Sequence, residues 1–220
     1  MPILPPTPPW FIGFDVTLEI IFAITAMILA LYALRLYKIT SQRSAKLFGS
    51  GFLLISISYF IQAALNFLVL GELNEPSPLF TKVNEILTYQ YMGLYLHIFL
   101  MLSGLMVLLY MSFNIKNKKA LAALLLIILL PLLFDVYITY TFYLTSTIAY
   151  AFIAWYYIEN YQKNPKRLSL LTAIAFIVMM IGSALFFFST NQPIFYAIGH
   201  ILHFAAYILI LINFYLVLRK

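Results

Sequence analysis

The chain contains no cysteine, which excludes disulfides, thiolate metal sites, iron–sulfur ligation and thiol nucleophiles, and gives no indication of redox compartment. Charge is scarce too: 9% of the 220 residues are Asp, Glu, Lys or Arg, against about 25% in soluble domains. Polar-patterned stretches of roughly 50 residues, the least a soluble domain needs, are missing. With 64% of its residues apolar, the chain does not have water as its solvent. The opening Met1 to Trp10 lacks the basic segment of a signal peptide, and Pro2, Pro5, Pro6, Pro8 and Pro9 oppose helix. Residues 1–13 are expected to form a short extracellular, proline-rich arm.

What the chain does have is long apolar runs. A bilayer core of about 30 Å needs roughly 20 apolar residues at a rise of about 1.5 Å each. Runs at about 14–37, 48–70 and 86–113 meet this directly. The stretch from Ala120 to Ile158 is almost unbroken, yet as one helix it would be about 58 Å long, so it must turn back. Pro131 and Asp135 are its punctuation, because proline destabilises a helix interior and a lone carboxylate avoids the bilayer centre. That gives helices at about 120–134 and 136–161; 168–188 and 194–218 follow by the same length argument, divided at Ser189 to Pro193. The expected architecture is all-α, one transmembrane domain of seven helices spanning 14–220.

The basic residues set the orientation. Arg35, Lys38, Arg43, Lys46, Lys116, Lys118, Lys119, Lys163, Lys166, Arg167, Arg219 and Lys220 fall on one side, with Glu159. Lys82 and the remaining acids, Asp15, Glu19, Glu72, Glu75, Glu85 and Asp135, fall on the other. The positive-inside rule then predicts an outside N-terminus and a cytoplasmic C-terminus in a multi-pass protein of the cell membrane. The net charge of +6 serves as a topology signal, so nucleic acid is not an expected partner; the lipid bilayer is. Tyr32, Tyr37, Tyr110, Tyr156, Tyr157, Tyr161 and Tyr215 are expected to form a cytoplasmic aromatic belt, with Trp10, Phe11 and Phe195 outside.

Polar side chains at membrane depth face the bundle interior, so their spacing marks the inward faces. On helix seven Tyr196, His200, His203 and Tyr207 recur at intervals of four, three and four. On helix two Ser56, Tyr59, Gln62 and Asn66 share a face, and on helix three Gln90, Gly93, His97 and Gly104 do. Helix one adds Asp15 and Glu19 one turn apart, helix five Thr141 and Thr145, and helix six Ser183. Counting from the outer ends puts these groups between the surface and about the midplane, all three histidines included. The inner half is apolar by comparison, so an outward-opening pocket is expected and a continuous pore is not. The structural alternative is that Tyr, Gln, Asn and Ser only bond across helices, at about 0.6 kcal/mol each.

Three functions fit this polar layer. The first is a non-enzymatic cavity for a small ligand or metal cofactor, lined by Tyr59, Gln62, Asn66, Gln90, Tyr196, Tyr207 and Glu19, in a sensor, receptor-like module or accessory subunit. The second is a haem-b electron-transfer subunit, with His97 and either His200 or His203 as axial ligands and Gly93, Gly104 and Gly199 making room for the macrocycle. Close helix packing is the alternative role for those glycines. The third is a zinc-dependent hydrolase using His97, His200 and His203 with Glu19 or Asp15 as base. Cytoplasmic loops of about six to ten residues leave no signalling domain, which fits partnership with other membrane subunits.

Seven helices with an outside N-terminus resemble microbial rhodopsins and G-protein-coupled receptors. Retinal bound as a Schiff base requires a lysine within helix seven; this helix has none before Lys220, which excludes covalent retinal, and no Asp-Arg-Tyr motif is present. The adiponectin-receptor and alkaline-ceramidase hydrolases pair histidines four apart with Ser and Asp motifs that this chain lacks.

Overall fold

The computed structural model describes residues 7–11, 13–74, 79–115, 117–132, 137–189 and 191–218. Among these residues the chain forms a 3-10 turn at Pro9–Phe11 and seven α-helices, with no strand: α1 Phe14–Thr40, α2 Arg43–Asn74, α3 Leu79–Ser112, α4 Lys118–Leu132, α5 Ile138–Lys163, α6 Arg167–Phe188 and α7 Ile194–Leu218. Five of them, α1, α2, α3, α6 and α7, are long and apolar enough to cross a membrane. The protein is therefore a multi-pass membrane protein in character.

Each boundary has a local cause. Ser41 turns left-handed at φ 55° and donates its N–H to the Tyr37 carbonyl, closing α1. At the other end of α1, Asp15 Oδ1 accepts the backbone N–H groups of Gly13 and Val16 at 2.9 Å each, holding carboxylate charge at the positive end of the helix. α2 runs on to Asn74 and α3 starts at Leu79, beyond the ends at 70 and 86 expected from the apolar run. That expectation counted lipid-compatible residues only, and helical hydrogen bonding does not stop at the edge of the hydrocarbon. α4 ends one residue after Pro131; Asp135, the other expected break point, lies outside the described residues. At 15 residues α4 is about 22 Å long, short of a full crossing. α5 has 26 residues, a full crossing in length, but its Thr and Tyr content leaves it less apolar than the others.

The helices pack as a ring. Antiparallel neighbours α1–α2, α2–α3, α5–α6 and α6–α7 make the closest pairs, and α3 against α5 and α1 against α7 complete the circuit. α4 rests outside it, against α3 and α5. Small residues set the spacing: a Cβ on Gly104 would lie 2.7 Å from the Gly51 carbonyl, and one on Gly199 would lie 2.7 Å from the Phe186 ring. Both glycines therefore serve close helix contact, and the room for a macrocycle expected at Gly104 and Gly199 is filled by protein. The interior is apolar, with Phe22, Leu29, Phe52, Leu102, Phe176 and Ile153 fully buried. The outer surface carries Ile24, Leu31, Phe67, Phe99, Phe152, Ile181 and Ile212 exposed, a greasy girdle suited to acyl chains.

At the end of the bundle holding the α1–α2 and α3–α4 connections, the Arg43 guanidinium sits over the Tyr110 ring at 5.0 Å and donates to the Ile115 carbonyl. Tyr110 is buried, so it does not belong to the expected surface belt, whereas Tyr32 and Tyr215 are exposed as that belt requires. A cavity of about 290 Å³ opens at this end, lined in part by Gln42, Ser44, Tyr157, Thr172 and Asn213. The end expected to be apolar by comparison thus also holds a cavity with some polar lining groups. The polar side chains that made it were overlooked because they stand singly on their helices instead of in stripes.

Candidate functional site

The polar residues expected at one level do meet, at the opposite end of the ring. A cavity of about 300 Å³ lies among α1, α2, α3, α5, α6 and α7, at the lower limit of the range of about 300–1,000 Å³ for small-molecule sites. It runs from Thr7, Asp15, Val69 and Gln90 at its mouth to Met101, Tyr150 and His203 at its floor. Glu19, Tyr59, Gln62, Asn66, Gln90, His97, Tyr196, His200 and His203 all line it. Tyr207 does not: it is buried one layer deeper, where it stacks on Phe22 and hydrogen-bonds the Tyr59 hydroxyl.

A chain of amides leads to a deeply buried acid. Gln62 Nε2 donates to Asn66 Oδ1 at 3.4 Å, and Asn66 Nδ2 donates to the two Glu19 carboxylate oxygens at 3.1 and 3.0 Å. Residues 62 and 66 sit one turn apart on α2, so both amides face α1 together. Glu19 is only 3% exposed. Gln62 Oε1 is left buried without a partner, 3.3 Å from where a Cβ on Gly93 would stand; here the small residue does keep space beside a cavity group.

The three imidazoles are held in three different ways. Ser58 Oγ lies 2.9 Å from the His97 carbonyl and 2.8 Å from His97 Nδ1. A hydroxyl has one proton; donated to the carbonyl, it leaves Nδ1–H to donate to Oγ, and the lone pair falls on Nε2. His203 Nε2–H donates to the Met179 carbonyl at 3.1 Å, placing its lone pair on Nδ1. This bond depends on Gly182, where a Cβ would come within 2.5 Å of His203 Cδ2. His200, 6% exposed, has no partner among the described residues for either ring nitrogen.

Aromatic rings pack around the imidazoles. Phe186 contacts both His200 and His203, with centroids at 5.0 and 5.2 Å, and Phe22 lies 6.1 and 6.5 Å from the same pair. His97 packs instead on Tyr59 and Phe142 at 5.2 and 5.6 Å. Among the described residues no three His, Asp or Glu side chains gather closely enough to hold a metal ion. The donor set therefore does not fit the expected zinc triad of His97, His200 and His203. The anchoring bonds of His97 and His203 each leave the second ring nitrogen free, as in a ligating histidine, but phenyl rings pack against the imidazoles and no haem site is shown among the described residues.

Several side chains in and around the cavity escaped the sequence pattern. On α5 the inward polar group is Ser146, buried and unpartnered, and neither Thr141 nor Thr145 lines the cavity. A stripe through Phe142, Ser146, Ala149 and Ile153, all buried, was available to find it. Ser58 was hidden because it lies off the Tyr59, Gln62 and Asn66 stripe, turned toward α3. Ser183, which the sequence did mark, lines the cavity and donates to the Tyr143 carbonyl at 3.2 Å. Phe11, expected in an outer belt, is 4% exposed. Its ring packs on Tyr196 and His200 at 6.1 and 5.6 Å, and Thr7 hydrogen-bonds Tyr196, so residues of the arm cover part of the mouth.

No protein-family model matches the chain, and neither a curated protein nor a solved structure does.

Proposed function

We propose that this is a non-enzymatic integral membrane protein that binds a small organic ligand in the cavity bounded by Glu19, Tyr59, Gln62, Asn66, Gln90, His97, Tyr196, His200 and His203. The reading rests on one observation: His200 is buried against that cavity with both ring nitrogens unpartnered. Buried polar groups in native proteins are nearly always satisfied, and an orphan beside open space is where a ligand or ordered water supplies the missing bond. Gln62 Oε1 and Ser146 Oγ are orphaned around the same space. Glu19, Gln62, Asn66, Ser146 and His200 would fix orientation, and the Tyr and Phe walls would supply contact area.

The segregation of Lys and Arg supports seven crossings of the cell membrane, an outside N-terminus and a cavity that faces outward. The short loops at the basic end support coupling through a partner membrane subunit, as expected of a sensor, receptor-like module or accessory subunit.

Two measurements test this. Diethyl pyrocarbonate applied to the outside of intact cells should modify His200, located by mass spectrometry; complete protection would remove the outward-facing cavity. The purified protein should show no Soret band and sub-stoichiometric zinc. Stoichiometric haem or zinc lost on His97→Ala would replace the organic-ligand reading with a metal centre.

A further inference from the structure

Within that reading, the geometry points to a ligand class: we infer that the cavity takes an organic ammonium, its cationic nitrogen at Glu19 and its apolar part against the aromatic walls. Four features converge on this.

The first is an acid without a counter-charge. Among the described residues Glu19 receives hydrogen bonds only from Asn66, a neutral amide, and no Lys or Arg of them lines the cavity. Among the described residues the one ion pair within 4.0 Å is Lys163–Glu159, at the far end of α5. A carboxylate removed from water needs a positive charge or a proton beside it. Asp15, one turn away and also lining the cavity, adds a second group of the same sign.

The second is that the histidines do not supply the missing charge. His97 is engaged with Ser58 and His203 with Met179, each bond using a single N–H in the neutral tautomer's pattern. His200 as an imidazolium would bury two N–H donors without acceptors, the costliest state open to it.

The third is the wall. Tyr59, Phe142, Tyr143, Tyr150, Phe186 and Tyr196 line the same space. Glu19 lies within electrostatic reach of Tyr59, Tyr143 and Tyr196. Ring faces carry the negative lobe of the aromatic quadrupole, and cages of this kind attract ammonium groups most strongly where water is excluded.

The fourth is size. A volume of about 300 Å³ is about ten times the 30 Å³ share of one water, which suits a small amine with an apolar body and leaves a bare inorganic cation underfilling the site. The unpartnered His200, Ser146 Oγ and Gln62 Oε1 remain to bond polar groups on that body.

The absence of cysteine makes the test direct. Ser146→Cys places one thiol in the cavity, and Gln192→Cys, at an exposed position, serves as the solvent reference. Both are labelled with neutral methyl methanethiosulfonate, cationic trimethylammonium-ethyl methanethiosulfonate and anionic sulfonatoethyl methanethiosulfonate. The expected result is a cation-over-anion rate ratio at Ser146→Cys about tenfold above that at Gln192→Cys, falling to the reference ratio when Glu19→Gln is added. Reaction with all three reagents at the reference ratio would leave the cavity reading standing and overturn the ammonium. No reaction with any reagent would overturn both. In parallel, 2-phenylethylammonium should raise the melting temperature of the detergent-purified protein in a Glu19-dependent way. The same shift from 2-phenylethanol, or from sodium ion, would refute the assignment.

Discussion

Asn66 Nδ2 lies 3.0 and 3.1 Å from the two carboxylate oxygens of Glu19, so one amide group on α2 holds both acceptors of the buried acid on α1.

Asn66→Ala removes that donor and leaves a buried acceptor unsatisfied. It should lower the unfolding free energy by about 1–3 kcal/mol, above the about 0.6 kcal/mol of an average interhelical bond in a membrane. Denaturant unfolding of the purified protein measures it. In a Glu19→Leu background the same substitution should cost about 0.6 kcal/mol or less; equal costs in the two backgrounds would mean that the residues are not coupled.

Gly182→Ala places a methyl group 2.5 Å from His203 Cδ2. The ring must swing, losing the bond to the Met179 carbonyl, and the expected cost is about 1–3 kcal/mol. Trimming the ring with His203→Ala should abolish most of that penalty. A Gly182→Ala cost that survives in full in the double variant would place its origin elsewhere.

The helix three glycines should separate by what they face. Gly104→Ala drives a Cβ to 2.7 Å from the Gly51 carbonyl, backbone that cannot yield without moving α2 from α3. Gly93→Ala meets only side-chain atoms at 3.3 Å and beyond. Expression level and melting temperature should fall far more for Gly104→Ala. Equal tolerance of the two would contradict the close α2–α3 approach.

Phe11→Ala uncovers the imidazole against which that ring packs at 5.6 Å. Modification of His200 by diethyl pyrocarbonate should accelerate several-fold, while His97, deeper and held by Ser58, changes less. An unchanged rate at His200 would show that reagent enters by another route.

Much of the site was legible in the sequence because a membrane penalises polar groups that face lipid. The four, three, four spacing on α7 therefore identified one inward stripe, Tyr196, His200, His203 and Tyr207, and all four are buried. Periodicity fixes a face, but not what that face meets. It could not separate Tyr207, sealed beneath the cavity floor, from Tyr196 at the wall, nor show that phenyl rings from α1 and α6 pack against both His200 and His203. Those arrangements come from the packing of distant segments, as does the inward turn of Phe11, whose neighbouring prolines indicated only an irregular arm. Residues standing alone on a helix, such as Ser58 and Asn213, give no periodic signal at all.

The seating of Phe11 makes the protein's own chain an internal competitor. A visitor that reaches His200 on the side Phe11 covers must displace that ring. Its measured affinity is then weaker than its intrinsic affinity by the cost of that displacement. Shortening the arm would then quicken both arrival and departure without altering a single group that the visitor touches.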